Sequence, residues 1–334
     1  MGSDRRKSFA QATTISSIVF IMKLRSTLAI SLLAVTALTG VSACGSSSTS
    51  ATGGGSSSSG RPEVVVTYPV LGAVVRQVVG SAGDVTVLMP NGSDPHEWTP
   101  SAKDIQAMLN ADLLVDNGLG LEGGLQDPIK EAKAKGVTVF TVADHLTVRK
   151  VKAGEGAKAD DPDQAPGASD PHLWMDPLTM KQWVQAFVPV LRTAGIDASA
   201  NAATVAADLD ALNTEVTGIL ATVPADRRKL VTGHESLGYL AERYHFQLVG
   251  AVVPSLTSQG ESSAAELADL TTKIKAAGVP AIFAEIGTPK ATVEAIGRDT
   301  GAKVVELSTH NLPADGSYRT FLLDVANTVA GGLT

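Results

Sequence analysis

The feature that most constrains the fold is a regular alternation of strand-like and helix-like segments from residue 62 to the C-terminus. The strand-like segments are short and rich in β-branched residues, whereas the helix-like segments carry apolar residues at three- and four-residue spacing. Such alternation predicts an α/β fold in which the strands are largely parallel and helices cover both faces of each sheet.

The alternation occurs twice, which predicts two (βα)4-type lobes with parallel sheets, residues 62–197 and residues 223–334. Strands are predicted at 63–69, 84–89, 112–117, 137–143, 229–232, 247–253, 281–286 and 303–307. Helices are predicted at 70–79, 99–110, 121–135, 176–193, 236–244, 262–277, 290–300 and 318–331. Between the halves, an Ala-rich segment (198–222) with apolar residues at helical spacing predicts a long, rigid backbone helix that joins the lobes. Residues 150–169 lack apolar periodicity and predict a mobile loop.

The N-terminal segment has the pattern of an export signal. Within residues 1–43, the basic residues Lys23 and Arg25 precede an apolar run at 28–38 and small residues before Cys44, the only cysteine of the chain. Met22 lies directly before the basic residues and is a candidate true start. The cleavage site resembles a bacterial lipobox with Cys44 as the lipidated residue, and residues 44–61 predict a flexible Ser/Gly tether. We therefore expect an exported protein, lipid-anchored at the extracytoplasmic face of the cell membrane.

The charge balance bears on the type of partner. Beyond residue 43 the chain has 22 basic and 33 acidic residues, a net charge of about −11. Proteins that bind nucleic acids generally present a basic face to the phosphates. An acidic chain of this kind predicts no nucleic-acid partner, whereas its charge would attract a metal cation.

A short repeated pattern places two histidines in the same local context. His96 lies in Asp94-Pro-His-Glu-Trp98, and His172 lies in Asp170-Pro-His-Leu-Trp174. Proline stiffens the backbone before each histidine, and the aspartate can accept a ring N–H or cap a helix. Imidazole is the commonest protein ligand for a transition metal and needs a fixed ring and tautomer. The repeat therefore predicts half of a metal site.

Two further histidines follow predicted strands of the second half. His234 comes just after the strand 229–232, and His310 follows the strand 303–307. Ligands of open α/β sheets bind beyond the carboxyl ends of the strands. We expect these residues to face His96 and His172 across a cleft between the lobes. Four imidazole nitrogens form a tetrahedral set that suits Zn²⁺.

Several longer motifs together resemble the ZnuA/TroA-like substrate-binding lipoproteins of zinc and manganese ABC importers. The resemblance covers nearly all of residues 62–334. It includes both Asp-Pro-His-x-Trp motifs, Asn117-Gly-Leu-Gly-Leu-Glu122, His234 with Gly238-Tyr-Leu240, Glu261-Ser-Ser-Ala264, and Phe283-Ala-Glu285. It implies two α/β lobes joined by a long helix, with the metal in the cleft. It also implies His96, His172 and His234 as ligands, the permease and ATPase subunits of an importer as partners, and a non-enzymatic monomer.

The fourth ligand position departs from the family pattern. Many members have Asp in an L-x-x-D-x-L segment, but this chain has Leu307-Ser-Thr-His310-Asn-Leu312. Replacing a carboxylate with imidazole favours Zn²⁺ over Mn²⁺. Asp315 is the alternative ligand, while Glu97 and Glu285 are candidate hydrogen-bonding partners of the histidines or oxygen ligands. The loop before His172 lacks the histidines that many zinc members carry there.

Three functions are consistent with these residues. The preferred one is a high-affinity extracytoplasmic Zn²⁺ receptor whose metal binding weakens below about pH 6.5, because protons compete for histidine. A Mn²⁺ or Fe²⁺ receptor is the alternative if Asp315 or Glu285 supplies the fourth ligand. A zinc hydrolase is less favoured, since it needs an open coordination position and a general base, for which Glu97 is the obvious candidate.

Overall fold

The computed structural model of the protein describes residues 60–153, 155 and 164–334. The predictions for the signal peptide, Met22, Cys44 and most of the tether lie outside these residues. Two four-stranded, wholly parallel sheets form the framework, with strand orders β2-β1-β3-β4 and β6-β5-β7-β8. We refer to each sheet with its surrounding helices as the first and the second lobe. The predicted fold class, two parallel-sheet α/β lobes, is thereby confirmed.

The strands and helices follow the predicted order, with most strands shorter than expected. The strands are β1 Glu63–Val66, β2 Asp84–Val87, β3 Leu113–Asp116, β4 Thr138–Thr141, β5 Lys229–Thr232, β6 Gln247–Ala251, β7 Ala281–Ala284 and β8 Lys303–Glu306. The helices are α1 Pro69–Val79, α2 Ala102–Asn110, α3 Gln126–Ala134, α4 Pro177–Thr193, α5 Ser199–Leu220, α6 Gly238–Tyr244, α7 Ala264–Ala277, α8 Lys290–Thr300 and α9 Tyr318–Leu333.

Some helices start later than predicted, and at α2 the reason is a cap that overrides the Pro signal. Helix α2 begins after Ser101, whose hydroxyl accepts from the Asp104 amide while the Asp104 carboxylate accepts from the Ser101 amide. This reciprocal pair satisfies the amides of Ser101 and Asp104 at the start of α2. The predicted helix at 121–135 is divided, because Gly123–Leu125 forms a 3-10 turn before α3. By contrast, α4 starts as predicted, with Asp176 as its N-cap and Pro177 as its first residue.

The apolar core occupies both faces of each sheet. A large cluster includes one face of both sheets together with α1, α4, α5 and α9, and contains Trp183, Phe187 and Phe283. Smaller clusters lie on the opposite faces, beneath α2 and α3 in the first lobe and beneath α7 and α8 in the second. Both sheets are therefore covered on both sides, which leaves the carboxyl ends of their strands as the open edges.

Helix α5 lies within the segment 198–222, for which the sequence predicts a connecting helix. It buries Val205, Leu209, Leu212, Val216 and Leu220 along one face. It packs against α4 and α1 of the first lobe and against α9, which follows the second sheet. These contacts place α5 beside both sheets, while its function as a rigid joint between the lobes stays a prediction.

The described ends of the predicted loop at 150–169 contact each other and the second lobe. Lys150 and Ser169 form an antiparallel bridge, and Gln164 Oε1 accepts a hydrogen bond of 3.0 Å from Ser255 Oγ. Val151, Ala168 and Leu256 form a small buried cluster between them. Mobility of the loop stays a prediction. Among the described helices, none is both long and apolar enough to cross a membrane.

Candidate metal centre

The repeated Asp-Pro-His sequence is also a repeated structure. Asp94 Oδ1 accepts a hydrogen bond of 2.9 Å from the backbone amide of His96, and Asp170 Oδ1 accepts one of 3.0 Å from the amide of His172. In each case the aspartate closes a tight turn onto the histidine two residues later. The second turn goes further, because Asp170 Oδ1 lies 2.9 Å from His172 Nδ1. This contact holds the His172 proton on Nδ1 and leaves Nε2 free as an acceptor.

The other two histidines lie at the carboxyl-terminal edge of the second sheet. His234 follows β5 and His310 follows β8, and both are almost fully buried. His310 Nδ1 lies 3.0 Å from Thr309 Oγ1, which itself donates to Glu285 Oε2 at 2.8 Å. Because the hydroxyl proton is used on Glu285, the threonine oxygen must accept from His310 Nδ1. His310 Nε2 is therefore the unprotonated nitrogen, and it is buried without a hydrogen-bond partner.

The four histidines form one cluster, which is buried. His172 Nε2 lies 3.1 Å from His234 Nε2 and 3.4 Å from His96 Nε2. One ligand-type nitrogen from each of the four, His310 included, lies within 4.8 Å of the other three. A tetrahedral zinc ion with bonds of about 2.0–2.1 Å would separate its nitrogen ligands by about 3.3 Å. The two distances from His172 Nε2 match the size of such a shell.

A cavity of about 710 Å³ adjoins this cluster. Its lining includes His96, Leu119, Gln164 and Gln259, and His96 is the one member of the histidine cluster among the residues that line it. His96 is also the most exposed of the four, at 7 %. An ion that enters from the cavity would therefore meet His96 first.

Three of the four histidines lie where the protonated ring is disfavoured. Burial lowers the pKa of His96, His172 and His310 well below its ordinary value, and neighbouring histidines lower the pKa further. The reason is that a buried imidazolium loses its hydration and faces other imidazoles. At neutral pH these rings carry free lone pairs, which is the protonation state that metal binding requires.

We predict that the metal-free protein loses stability as the pH falls below about 6.5. An unfolded chain takes up protons on these histidines near that pH, whereas the buried rings resist protonation, so the unfolded state binds more protons. Urea unfolding of His310→Asn beside wild type, between pH 7.5 and 5.5, isolates one such group. The variant should lose less stability on acidification, and an unchanged difference across this range would contradict the prediction.

The test compares His310→Asn with wild type because other buried groups change the free energy of unfolding with pH in the opposite direction. Burial raises the pKa of Glu122 to about 7, so this carboxyl favours the folded state as the pH falls. His245→Asn is the matched control, since His245 is exposed and asparagine tolerates its left-handed backbone conformation. Its stability should follow that of wild type at every pH.

Carboxylates surround the histidines without joining the cluster. Glu285 Oε1 accepts from the Gly233 amide at 3.1 Å, and its Oε2 lies 3.3 Å from His234 Nδ1 in an electrostatic contact that is not aligned as a hydrogen bond. Glu285 therefore contacts His234 at Nδ1, whereas His234 Nε2 is the nitrogen that lies next to His172. Burial raises the pKa of Asp170 to about 6, against the opposing effect of Arg149.

The structure does not bring the other two candidate carboxylates to the histidines. Glu97 is exposed to solvent, although it adjoins the buried His96 in the sequence. Asp315 is also exposed, and it accepts hydrogen bonds from the Ser317 amide and Thr320 Oγ1 at the start of α9. Among the described residues, the metal-type group contains the four histidines and no carboxylate. Asp315 instead lies just before α9, whose N-cap is Ser317, and its place as the alternative fourth ligand stays a prediction.

Sequence reasoning missed three polar residues around the cluster. Thr309 links His310 to Glu285, and Arg149 pairs with Asp170. The third is Glu235, next to His234, whose pKa burial raises well above its ordinary value, with nearby Asp170 and Glu155 adding to the effect. Thr309 and Glu235 could have been found as candidates, because each is adjacent to a histidine of the cluster. Arg149 is 23 residues from His172, and no sequence pattern connects the two.

Known proteins resemble this chain along most of its length. Over 281 residues it is 26 % identical to the manganese-binding lipoprotein MntA of Halalkalibacterium halodurans, covering 81 % of this chain and 88 % of that one. It is 29 % identical over 245 residues to the zinc-binding protein TroA of Treponema pallidum, covering 72 % and 75 %. It is 28 % identical over 277 residues to the high-affinity zinc uptake system protein ZnuA of Bacillus subtilis, covering 80 % and 84 %.

Solved structures show the same fold. The structure of the periplasmic zinc-binding protein TroA from Treponema pallidum superimposes with a TM-score of 0.70 at 24 % identity, covering 82 % of this chain and all of that one. A manganese-bound periplasmic metal-binding protein from Candidatus Liberibacter asiaticus gives a TM-score of 0.69 at 19 % identity, with the same coverage. The family model described as "zinc-uptake complex component A periplasmic" matches residues 64–332. The chain therefore belongs to the ZnuA family of periplasmic zinc-uptake components.

Proposed function

We propose that the protein is a high-affinity Zn²⁺ receptor, which takes up the ion outside the cytoplasm and delivers it to an ABC importer. The family consists of solute-binding components of ABC transporters and not of enzymes. The observation that carries the choice of ligand is the buried cluster of His96, His172, His234 and His310. In this proposal each histidine supplies one nitrogen to a tetrahedral shell, and the ion is cargo.

The donor set supports zinc over the alternative of manganese or iron. Neutral imidazoles suit Zn²⁺, whereas Mn²⁺ prefers carboxylate and water oxygens. A closed shell of four nitrogens also leaves no position for a catalytic water, as a zinc hydrolase would require. The relative named as a manganese-binding lipoprotein keeps a Mn²⁺ receptor as the second candidate. It would gain support if Glu285, which lies behind His234, turned towards the ion.

We further propose that the receptor is anchored to the membrane and works with the other subunits of an importer. Cys44 would carry the lipid that ties the protein to the outer face of the membrane, and residues 44–61 would act as its leash. The permease and ATPase subunits of a metal importer are the proposed partners of the monomeric receptor. Delivery would start with loss of one ligand, and His96 is the candidate because it alone of the four lines the adjoining cavity.

Metal content and competitive titration of the purified protein test the proposal. We expect one zinc per chain, bound tightly enough to compete with a strong chromogenic chelator, and much weaker binding of Mn²⁺. Tighter binding of Mn²⁺ than of Zn²⁺ would favour the second candidate. Absence of tight binding for either ion would contradict a metal receptor altogether.

We predict that the zinc affinity changes little between pH 7.5 and 6.5 and falls at more acidic pH. Unperturbed histidines would lose affinity from about pH 6.5 downwards. Burial depresses the pKa of His96, His172 and His310, so protons compete with zinc only at lower pH than the sequence alone suggests. Chelator competition across this range measures the profile. A steep loss already between pH 7.5 and 6.5 would contradict it.

A further inference from the structure

A buried arginine lies among three carboxylates near the histidine cluster. The side chain of Arg149 is 5 % exposed. Its Nη1 lies 3.0 Å from Asp170 Oδ2, its Nη2 lies 2.5 Å from Glu155 Oε2, and its Nε lies 3.4 Å from Glu242 Oε2. Burial of a guanidinium is costly unless it is paired, and here each of its three nitrogens lies near a carboxylate oxygen. The position of Arg149 is thus fixed from three sides.

One of these carboxylates also holds a histidine of the cluster. Asp170 Oδ1 takes both the amide and Nδ1 of His172, while Asp170 Oδ2 takes Arg149 Nη1. Because both oxygens are occupied, the plane of the carboxylate cannot rotate freely. The orientation of the His172 ring follows from that plane, and the ring directs Nε2 towards His96 and His234. Arg149, Asp170 and His172 therefore form one connected row.

The same arginine contacts α6 of the second lobe. Its backbone amide donates to Tyr239 Oη at 3.0 Å, and Glu242 also belongs to α6. At the start of this helix, a side chain at Gly238 would overlap with Asp170 Oδ2 and the Arg149 guanidinium. Glycine at this position thus lets α6 approach the pair closely. Arg149, Asp170 and His172 are therefore contacted by the second lobe, which also contains His234 and His310.

We propose that Arg149 is a positioning residue of the metal site, which acts through Asp170 to orient His172 for zinc. The inference rests on the proposed function, since it assumes that His172 binds the ion. Arg149 itself does not reach the cluster. Partners behind a metal ligand commonly contribute 10- to 100-fold to the affinity, and we expect about tenfold for Arg149, which lies one residue further away.

A second arginine provides a matched control. Arg243 also lies on α6 and contacts the first lobe, with Nε 3.0 Å from Asp176 Oδ1 and Nη2 2.7 Å from Asp176 Oδ2. Asp176 caps α4 and contacts no histidine in the described structure. Arg243→Gln therefore removes an arginine–aspartate contact between the lobes that has no link to the cluster.

The experiment compares Arg149→Gln, Arg243→Gln and wild type in zinc affinity, by chelator competition at pH 7.5. We expect about tenfold weaker binding for Arg149→Gln, and less than a twofold change for Arg243→Gln. In the zinc-bound protein, the Nδ1 proton of His172 gives a direct spectroscopic signature of its contact with Asp170. Its ¹H–¹⁵N resonance should shift in Arg149→Gln and stay in place in Arg243→Gln.

The outcomes separate this inference from the proposed function. Zinc binding and a His172 resonance like those of wild type in Arg149→Gln would overturn the positioning role and leave the receptor proposal intact. Equal losses in both variants would also overturn it, because they would reveal a general effect of lobe contacts. Failure of wild type to bind zinc would instead reject the proposed function. If Arg149→Gln does not fold, Arg149→Lys serves, since a single ammonium cannot replace the planar fork; wild-type affinity and resonance there would overturn the inference.

Discussion

Replacing His172 with alanine is expected to lower the zinc affinity by more than a hundredfold, the largest effect in the protein. His172 is fully buried, and its Nε2 lies within 3.4 Å of two other histidine nitrogens. Loss of a direct ligand should exceed the 10- to 100-fold effect typical of residues that only support ligands. Alanine also removes the proton donor to Asp170, which leaves a buried carboxylate oxygen with one partner fewer.

Competitive titration of His172→Ala beside His245→Asn measures this effect. His245 is exposed and belongs to no metal-type group among the described residues, so its variant should bind zinc as wild type does. Circular dichroism of both variants without metal checks that each is folded. Zinc affinity within tenfold of wild type for a folded His172→Ala would contradict its place in the shell.

The second large effect is expected for His310→Asp, which should change metal preference and not merely weaken binding. Aspartate would give the site three nitrogens and one anionic oxygen, a donor set that Mn²⁺ accepts more readily. We expect the ratio of zinc to manganese affinity to fall by about tenfold or more. Thr309 has one hydroxyl proton and already donates it to Glu285, so it cannot also donate to the introduced aspartate. The bound ion would therefore be the main partner of the introduced carboxylate.

Parallel titrations of wild type and His310→Asp with Zn²⁺ and Mn²⁺ give the ratio. His310→Asn is the matched control, because it has the same size as aspartate but no charge. It should weaken the binding of both metals without favouring manganese. An unchanged ratio in His310→Asp would show that the fourth histidine does not select the metal.

The fold was predictable because it rests on local signals that recur along the chain. The alternation of short apolar strands with amphipathic helices is enough to predict two parallel sheets, and Asp176-Pro177 marks the start of α4 correctly. Strand ends were predicted too long, since apolar residues continue past the last ladder hydrogen bond into the loops. At α2 the reciprocal cap between Ser101 and Asp104 decides the start, and this pattern competes with the proline one residue earlier.

The candidate site was predictable only as far as its residues carry a pattern. His96 and His172 share a repeated motif, and His234 and His310 follow strands, so their convergence could be foreseen. The residues behind them could not. Arg149 and Asp170 lie at the two ends of a loop and meet only because the loop folds back. Thr309 follows β8, whereas its partner Glu285 follows β7. Such partners depend on tertiary placement, which no spacing in the sequence encodes.

We propose that four histidines, and no carboxylate, hold the ion. X-ray absorption at the zinc edge of the zinc-loaded protein tests it most directly, because it reports the number and type of bound atoms and their distances. We predict four nitrogen neighbours at about 2.0–2.1 Å, with the multiple-scattering features of imidazole. A shell with three nitrogens and a carboxylate or water oxygen would contradict it, and would exclude one of His96, His172, His234 or His310 from the site.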